Sequence, residues 1–255
     1  QGKKLWEKEL HKIEVEMMTP GQMTNFYTAL YHTFLSPTLY MDTDRKYKGL
    51  DQNIHNAEDF DNYTTFSLWD TYRALHPLFT IIQQQRTADM ITSMIAHYDQ
   101  SVHKMLPVWS HHANENWCMT GYHAVPVIAD AIVKNVRGFD YNRALDACVT
   151  TACNGWYDGL DDYISLGYVP DERTPSSVSV TLEYAFDDWC IARAAEAMKS
   201  NGLTVNQLYI DDFNKRSANY MNLWDPSIRY MRPRSMNGKF RQSFSVLLTH
   251  NKVII

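Results

Sequence analysis

The sequence is poor in the features that assign a protein quickly. Its four cysteines, Cys118, Cys148, Cys153 and Cys190, form no C-x-x-C pair and no zinc spacing, and their irregular placement is not a disulfide framework. Small buried apolar side chains are the default reading for them, which leaves the compartment undecided. No basic run interleaved with aromatics occurs and the net charge is −5, so electrostatic capture of nucleic acid or of an anionic membrane is disfavoured. No apolar run approaches the length of a membrane span, and no signal peptide is visible. The chain opens with Gln-Gly-Lys-Lys and runs straight into LWEKELHKIEVE, already at helical spacing through Leu5, Leu10 and Ile13. Such a start is expected of a fragment, and the missing signal therefore says nothing about export.

Aromatic rings, by contrast, are abundant: 16 Tyr, 10 Phe and 7 Trp in 255 residues. Carbohydrate sites and large buried cores both draw on them. Apolar residues recur every three or four positions along most of the chain, which predicts helices over about 5–16, 22–35, 63–84, 87–101, 122–135, 141–166, 177–200 and 204–223. Thr87 and Ser177 stand where N-caps are expected, and Gly138, Gly167 and Gly202 where helices should stop. Strand-like alternation is scarce. The expected class is all-α, packed as antiparallel helical hairpins. Two connections, about 36–62 and 102–121, are long and rich in Asp, Asn, His, Tyr and Trp, as ordered loops lining a site would be.

Four segments contain groups suited to chemistry. In YMDTDRKYKGLDQNIH, Asp42, Asp44 and Asp51 with Gly49 have the outline of a calcium loop. The EF-hand pattern fails, because Lys46 takes the third ligand position and no Glu closes the loop; Asp side chains bonding their own turns are the favoured reading. In FSLWDTYRALHP, Asp70 and Arg73 are spaced for an ion pair on a helix. Trp69 beside Asp70 equally suits a sugar subsite, with a ring to stack and a carboxylate to accept hydroxyl bonds.

In LPVWSHHANENWCMTGYHAVPVIADA, His111, His112, Asn114 and Glu115 follow Trp109, and His123 opens an apolar helix. The spacing is not that of a zinc site; a polyol-binding rim and a loop docked by satisfied polar groups remain equal readings. In SVSVTLEYAFDDWCIARAAEAM, Glu183 and Asp187 place like charges four apart, which costs a few tenths of a kcal/mol unless a cation or donor sits between them. Arg193 is a structural candidate for that role, with a site-facing arrangement slightly favoured; Tyr184 and Asp188 share the neighbouring face. Paired carboxylates suit glycoside hydrolysis, but spacing alone gives no reaction type.

Taken together, FYTALYHTFLSPTLYMD, YTTFSLWDTYRALHPL, NWCMTGYHAVPVIADA and VTLEYAFDDWCIA resemble glycoside hydrolase family 92, the calcium-dependent exo-acting α-mannosidases, over roughly residues 5–240. The resemblance implies a partial (α/α)6 toroid, from a parent with an N-terminal β-sandwich and a site at the junction. That parent would remove terminal α-linked mannose from N-glycans or mannans with inversion, in the periplasm or outside the cell. Trp69 and Asp70 match the block that contributes to the family's terminal-mannose subsite, with Arg73 one turn on. Asn114, Glu115 and His123 match a second block, although Ser110 to Ala113 depart from it.

The family's general acid, calcium-binding and base blocks follow the position of Phe240, and the continuation RQSFSVLLTHNKVII contains none of them. Residues 1–240 are therefore expected to be a partial catalytic domain and 241–255 an atypical tail from truncation or a frameshift. No catalytic residue and no Ca2+ ligand is expected on this chain; Ca2+ would belong to the parent. The chain alone should lack turnover, and an open ring with bare apolar faces should associate or dissolve poorly. A non-enzymatic glycan-binding or degenerate helical scaffold is the alternative, and a different toroid hydrolase with Glu115 as acid is a third.

Overall fold

The structure, a computed structural model, describes residues 1–16, 19–242 and 244–245. Most of the expected tail, 241–255, lies outside them. About half of the chain is helical: α1 (Gly2–Leu10), α2 (Pro20–Thr33), α3 (Leu68–Thr71), α4 (Leu75–Ile82), α5 (Gln84–Gln100), α6 (Ala124–Val133), α7 (Tyr141–Ala152), α8 (Leu160–Leu166), α9 (Ser177–Ser200) and α10 (Gln207–Arg216), followed by a 3-10 turn at Asn219–Leu223. The strands are short: β1 (Thr38–Leu39), β2 (Lys46–Lys48), β3 (Ile54–Asn56), β4 (Tyr63–Thr64), β5 (Phe66–Ser67), β6 (Trp109–His111), β7 (Asn114–Glu115), β8 (Trp224–Asp225) and β9 (Tyr230–Met231).

The long helix α9 organises the core. Its alanines, Ala185, Ala192, Ala194, Ala195 and Ala197, have the highest helix propensity, and their small size lets neighbours approach. It packs against α6, α7 and α10. The segment AVPVIADAIV of α6 is apolar nearly all round, and all but two of its ten residues are buried, as such a composition requires. Pro126 falls in its first turn, where the amide has no intrahelical partner to lose. Local chemistry sets several ends. Thr19 and Gln22 form a capping box at α2, Asp140 and Asn206 cap α7 and α10, and Gly167 closes α8 in the left-handed region.

Two expected helices are broken. The segment 63–84 is β4, β5 and the two short helices α3 and α4, because its backbone finds partners across the chain: β4 pairs with β1 and β5 with β6, with Thr65 between them at φ 66°. The segment 141–166 divides at 153–159, ending in Gly159 at φ 73°. Thr87 is no cap. It lies inside α5, buried, with its hydroxyl bonding the Gln83 carbonyl. Ser176, not Ser177, is the N-cap of α9, and Gly138 follows a turn five residues past α6.

The two long connections are ordered through small antiparallel sheets, β2 with β3 in the first, and β6 with both β5 and β7 in the second. No described helix is long and apolar enough to cross a membrane.

Candidate active-site wall

Three carboxylates leave one stretch of α9 for different surroundings. Asp187 and Asp188 are fully buried. Asp187 accepts the Tyr122 amide at 2.8 Å through Oδ2 and meets His123 Nδ1 at 2.8 Å through Oδ1. Glu183, one turn earlier, lies 3.4 Å from the other nitrogen of the same imidazole. The group between the like charges at 183 and 187 is therefore His123, a cation when its imidazole is protonated. Arg193 instead turns to Glu196 at 2.8 Å and to Asn214.

Burial, the largest single effect on His123, pulls its pKa down. The charge and hydrogen bond of Asp187, together with Glu183, outweigh it and raise the imidazole above its ordinary value. Burial raises Asp187 as well, against the pull of His123. A proton between this pair is held firmly.

Asp188 faces the other way. It accepts Tyr122 Oη at 2.8 Å and Arg216 Nε at 2.9 Å, and lies 2.9 Å from Tyr163 Oη. Burial pushes its pKa up to about 6 despite that guanidinium and the two hydroxyls. Arg216 also donates to the Ala152 carbonyl, tying α10 to α7. Tyr122, Tyr163 and Tyr184 are among the largest buried side chains, with Tyr122 and Tyr184 stacked at 5.1 Å. Much of the tyrosine excess is thus core, its hydroxyls satisfied inside.

His123 reaches outward to a ledge. Its ring stacks on Tyr72 at 4.3 Å, and a Cβ at Gly121 (φ +84°) would stand 2.4 Å from Nε2, so only glycine admits the ring there. Glu183 Oε1 accepts the Trp69 indole at 3.1 Å and lies 3.5 Å from Arg73. The Arg73 guanidinium lies 4.6 Å from the Trp69 ring centre and 4.7 Å from that of Tyr72. Arg73 therefore pairs with Glu183, and the expected Asp70–Arg73 pair does not form. Asp70 is exposed, and no described residue engages its carboxylate.

The second block is differently disposed. Glu115 is 3% exposed at its side chain. Its carboxylate accepts the amides of Val108, Trp109, Asn116 and Trp117 at 2.8–3.0 Å. Burial raises its pKa against those four donors. All its acceptor capacity is directed at its own loop, which argues against Glu115 as an acid facing substrate. Asn114 is an exposed strand residue paired through its backbone with His111. His97 lies 3.6 Å from Glu115 and 3.2 Å from Ser110 Oγ, its pKa lowered to about 4 by burial.

The Asp42–Asp51 loop does not converge on a metal position. Asp44 bonds Lys46 at 2.7 Å, and Asp51 takes Asn53 and His55. Among the described residues no group of three or more His, Cys, Asp or Glu side chains could hold a metal ion.

Trp69, Arg73 and His123 thus meet around Glu183, with Asp70 beside them, while Asn114 and Glu115 belong to a neighbouring loop. Sequence reading passed over Tyr72 and Arg216. Their only signals were an aromatic two residues past Trp-Asp and an Arg within the expected helix 204–223, neither of which names a partner far along the chain.

The glycosyl hydrolase family 92 catalytic domain matches residues 1–252. No curated protein sequence matches the chain. Among solved structures, the chain is similar to a family GH92 alpha-mannosidase from Bacteroides thetaiotaomicron, with 51% identity and a TM-score of 0.90, over 96% of this chain and 32% of that one. The same enzyme in complex with mannoimidazole matches at 51% identity and a TM-score of 0.90, over 96% of this chain and 31% of that one. A family GH92 inverting mannosidase from Bacteroides thetaiotaomicron matches with 32% identity and a TM-score of 0.83, over 95% of this chain and 33% of that one. The chain spans about a third of the length of these relatives. On the family match along nearly its whole length, this chain belongs to glycosyl hydrolase family 92.

Proposed function

We propose that the chain forms the sugar-holding wall of an exo-acting, inverting α-mannosidase that removes terminal α-linked mannose from N-glycans or mannans, and that it has no turnover alone. The carrying observation is the ledge of α3. There an indole fixed by Glu183 and a guanidinium lie beside Asp70, a carboxylate with no described partner. Flat ring, cation and free anion within one turn suit a polyol, which offers C–H faces to stack and paired hydroxyls to bond. The alpha-mannosidase relatives, one of them holding mannoimidazole, support mannose as that polyol.

Inversion requires one carboxylic acid to protonate the leaving oxygen and a carboxylate across the ring to activate water. Asp187, Asp188 and Glu115 are held by buried partners, and Glu183 is held by Trp69, Arg73 and His123. These groups orient and hold. As the family resemblance implies, we place the proton donor, the base and the calcium ligands in other parts of a longer parent, whose helices would complete the (α/α)6 toroid. The parent would act in the periplasm or outside the cell, where such glycans are met.

Titrating the 255-residue chain with mannoimidazole and with mannose tests this, using Trp69→Ala as control and following mannose release from α-1,2-mannobiose with calcium present. Binding lost in the variant, without release by either protein, is expected. Release by the chain alone would remove the inactivity claim, and binding indifferent to Trp69 would remove the subsite. The engagement of Asp187, Asp188, Glu183 and Glu115 by protein partners also fits a non-enzymatic glycan-binding scaffold. Activity restored by supplying the rest of a family member's catalytic domain would decide against that alternative.

A further inference from the structure

The loop after α7 carries a second aromatic surface that the proposed terminal-mannose site does not use. Trp156 is 56% exposed, although hydration of so large a ring is unfavourable. Its ring stacks on His103 at 3.8 Å with planes 13° apart. Trp117 meets it edge-on at 5.1 Å and packs 5.6 Å from Tyr157.

The platform is built, not draped. Asn154 clamps both halves, donating to the His103 carbonyl while its Oδ1 accepts the Trp156 amide. The Glu115 carboxylate fixes the Trp117 amide at 3.0 Å. Trp117, Met119 and Asp158 hold φ of 52°, 69° and 26°, a region costly for side-chain-bearing residues and concentrated at functional sites. Tyr157, next in sequence to Trp156, donates to the Gly121 carbonyl at 3.2 Å. That places the platform on the same frame as His123, two residues beyond Gly121.

We propose that the Trp156–His103 stack, braced by Trp117, is a second carbohydrate subsite that takes a further pyranose ring of an oligomannoside. An indole stiffened in advance loses little side-chain entropy when the C–H face of a sugar settles on it. Asn116 and Asp158, next in sequence to Trp117 and Tyr157, are exposed polar residues on the same two loops. The assignment of mannose rests on the function proposed above; the platform itself rests on its own geometry.

The test uses the 255-residue chain, titrated with methyl α-mannoside and with α-linked mannotriose while the indole N–H resonances are followed. Trp69→Ala and Trp156→Phe assign the two indoles. Mannotriose should move both resonances and bind about tenfold tighter than the monosaccharide, and Trp156→Ala should erase that difference while leaving methyl α-mannoside unchanged. Trp156→Phe, keeping a stacking ring, should retain most of it.

If mannotriose moves Trp69 alone and binds Trp156→Ala as tightly as the parent chain, the platform is overturned and the proposed function stands. If it moves Trp156 alone, the platform stands and the terminal-mannose assignment falls. If neither indole responds to any mannoside, both are overturned.

Discussion

Asp187 and Asp188 in α9 and Asp70 in α3 are the same side chain in opposite circumstances. The first two are sealed from water, one against His123 and the Tyr122 amide, the other against Arg216, Tyr122 and Tyr163. Asp70 stands exposed. Between them Glu183 joins the two regimes, bonding the Trp69 indole on the ledge and approaching the buried His123. A buried carboxylate with every acceptor engaged builds the wall, whereas an exposed one with acceptors free can meet a ligand. Charge on a residue therefore says little about its task until its partners are known.

The sharpest way to break this comparison is at Asp188. Asp188→Ala leaves the Arg216 cation buried without its counterion, and unfolding stability should fall by about 3–5 kcal/mol, read from urea midpoints at constant slope. A loss comparable to an ordinary surface change would mean that the buried network is dispensable. Glu115→Gln comes next. An amide can satisfy only part of the four-donor set, and its NH2 faces backbone N–H groups, so a loss of about 2–3 kcal/mol is expected. Retained stability would restore the idea of Glu115 as a free acid.

Trp69→Ala should lower mannoside affinity at least about tenfold with a smaller loss of stability than either, and Asp70→Asn should shift stability by no more than about 0.5 kcal/mol while weakening binding similarly. A destabilised Asp70→Asn would place that residue with its buried counterparts.

The smallest effect is that of pH on His123. Its folded pKa is raised from 6.5, so the folded chain holds the proton more tightly than the unfolded one. The resulting stability is complete below about pH 6.5 and fades as pH climbs through the folded value. The stability difference between the chain and His123→Gln should shrink over that interval, and a difference that grows with pH would reverse the assignment.

Much of this was legible beforehand. The helical character of 122–135 and 177–200 followed from period and composition, and both appear within two residues of the expected ends. Trp69, Arg73 and His123 were named from short motifs. The partner of Arg73 was not, because an i,i+3 spacing makes Asp70 the nearest choice on paper while Glu183 is 110 residues away. The run 63–84 has helical periodicity throughout, yet 63–67 lies in sheets whose other strands are 38–39 and 109–111. Periodicity cannot register hydrogen bonds to distant segments.

The sequence by itself determined what local physics controls: where helices are favoured, how α7 and α10 are capped, which faces are apolar, and the family to which the motifs belong. Tertiary structure alone decided which polar groups meet. Asp187 and Asp188 became framework because folding removed them from water beside donors from distant parts of the chain, Glu115 because its own loop closed four amides around it, and Asp70 remained open because no described donor was brought to it. Burial and long-range pairing set the energy of a charge, and neither is a property of its neighbours in sequence.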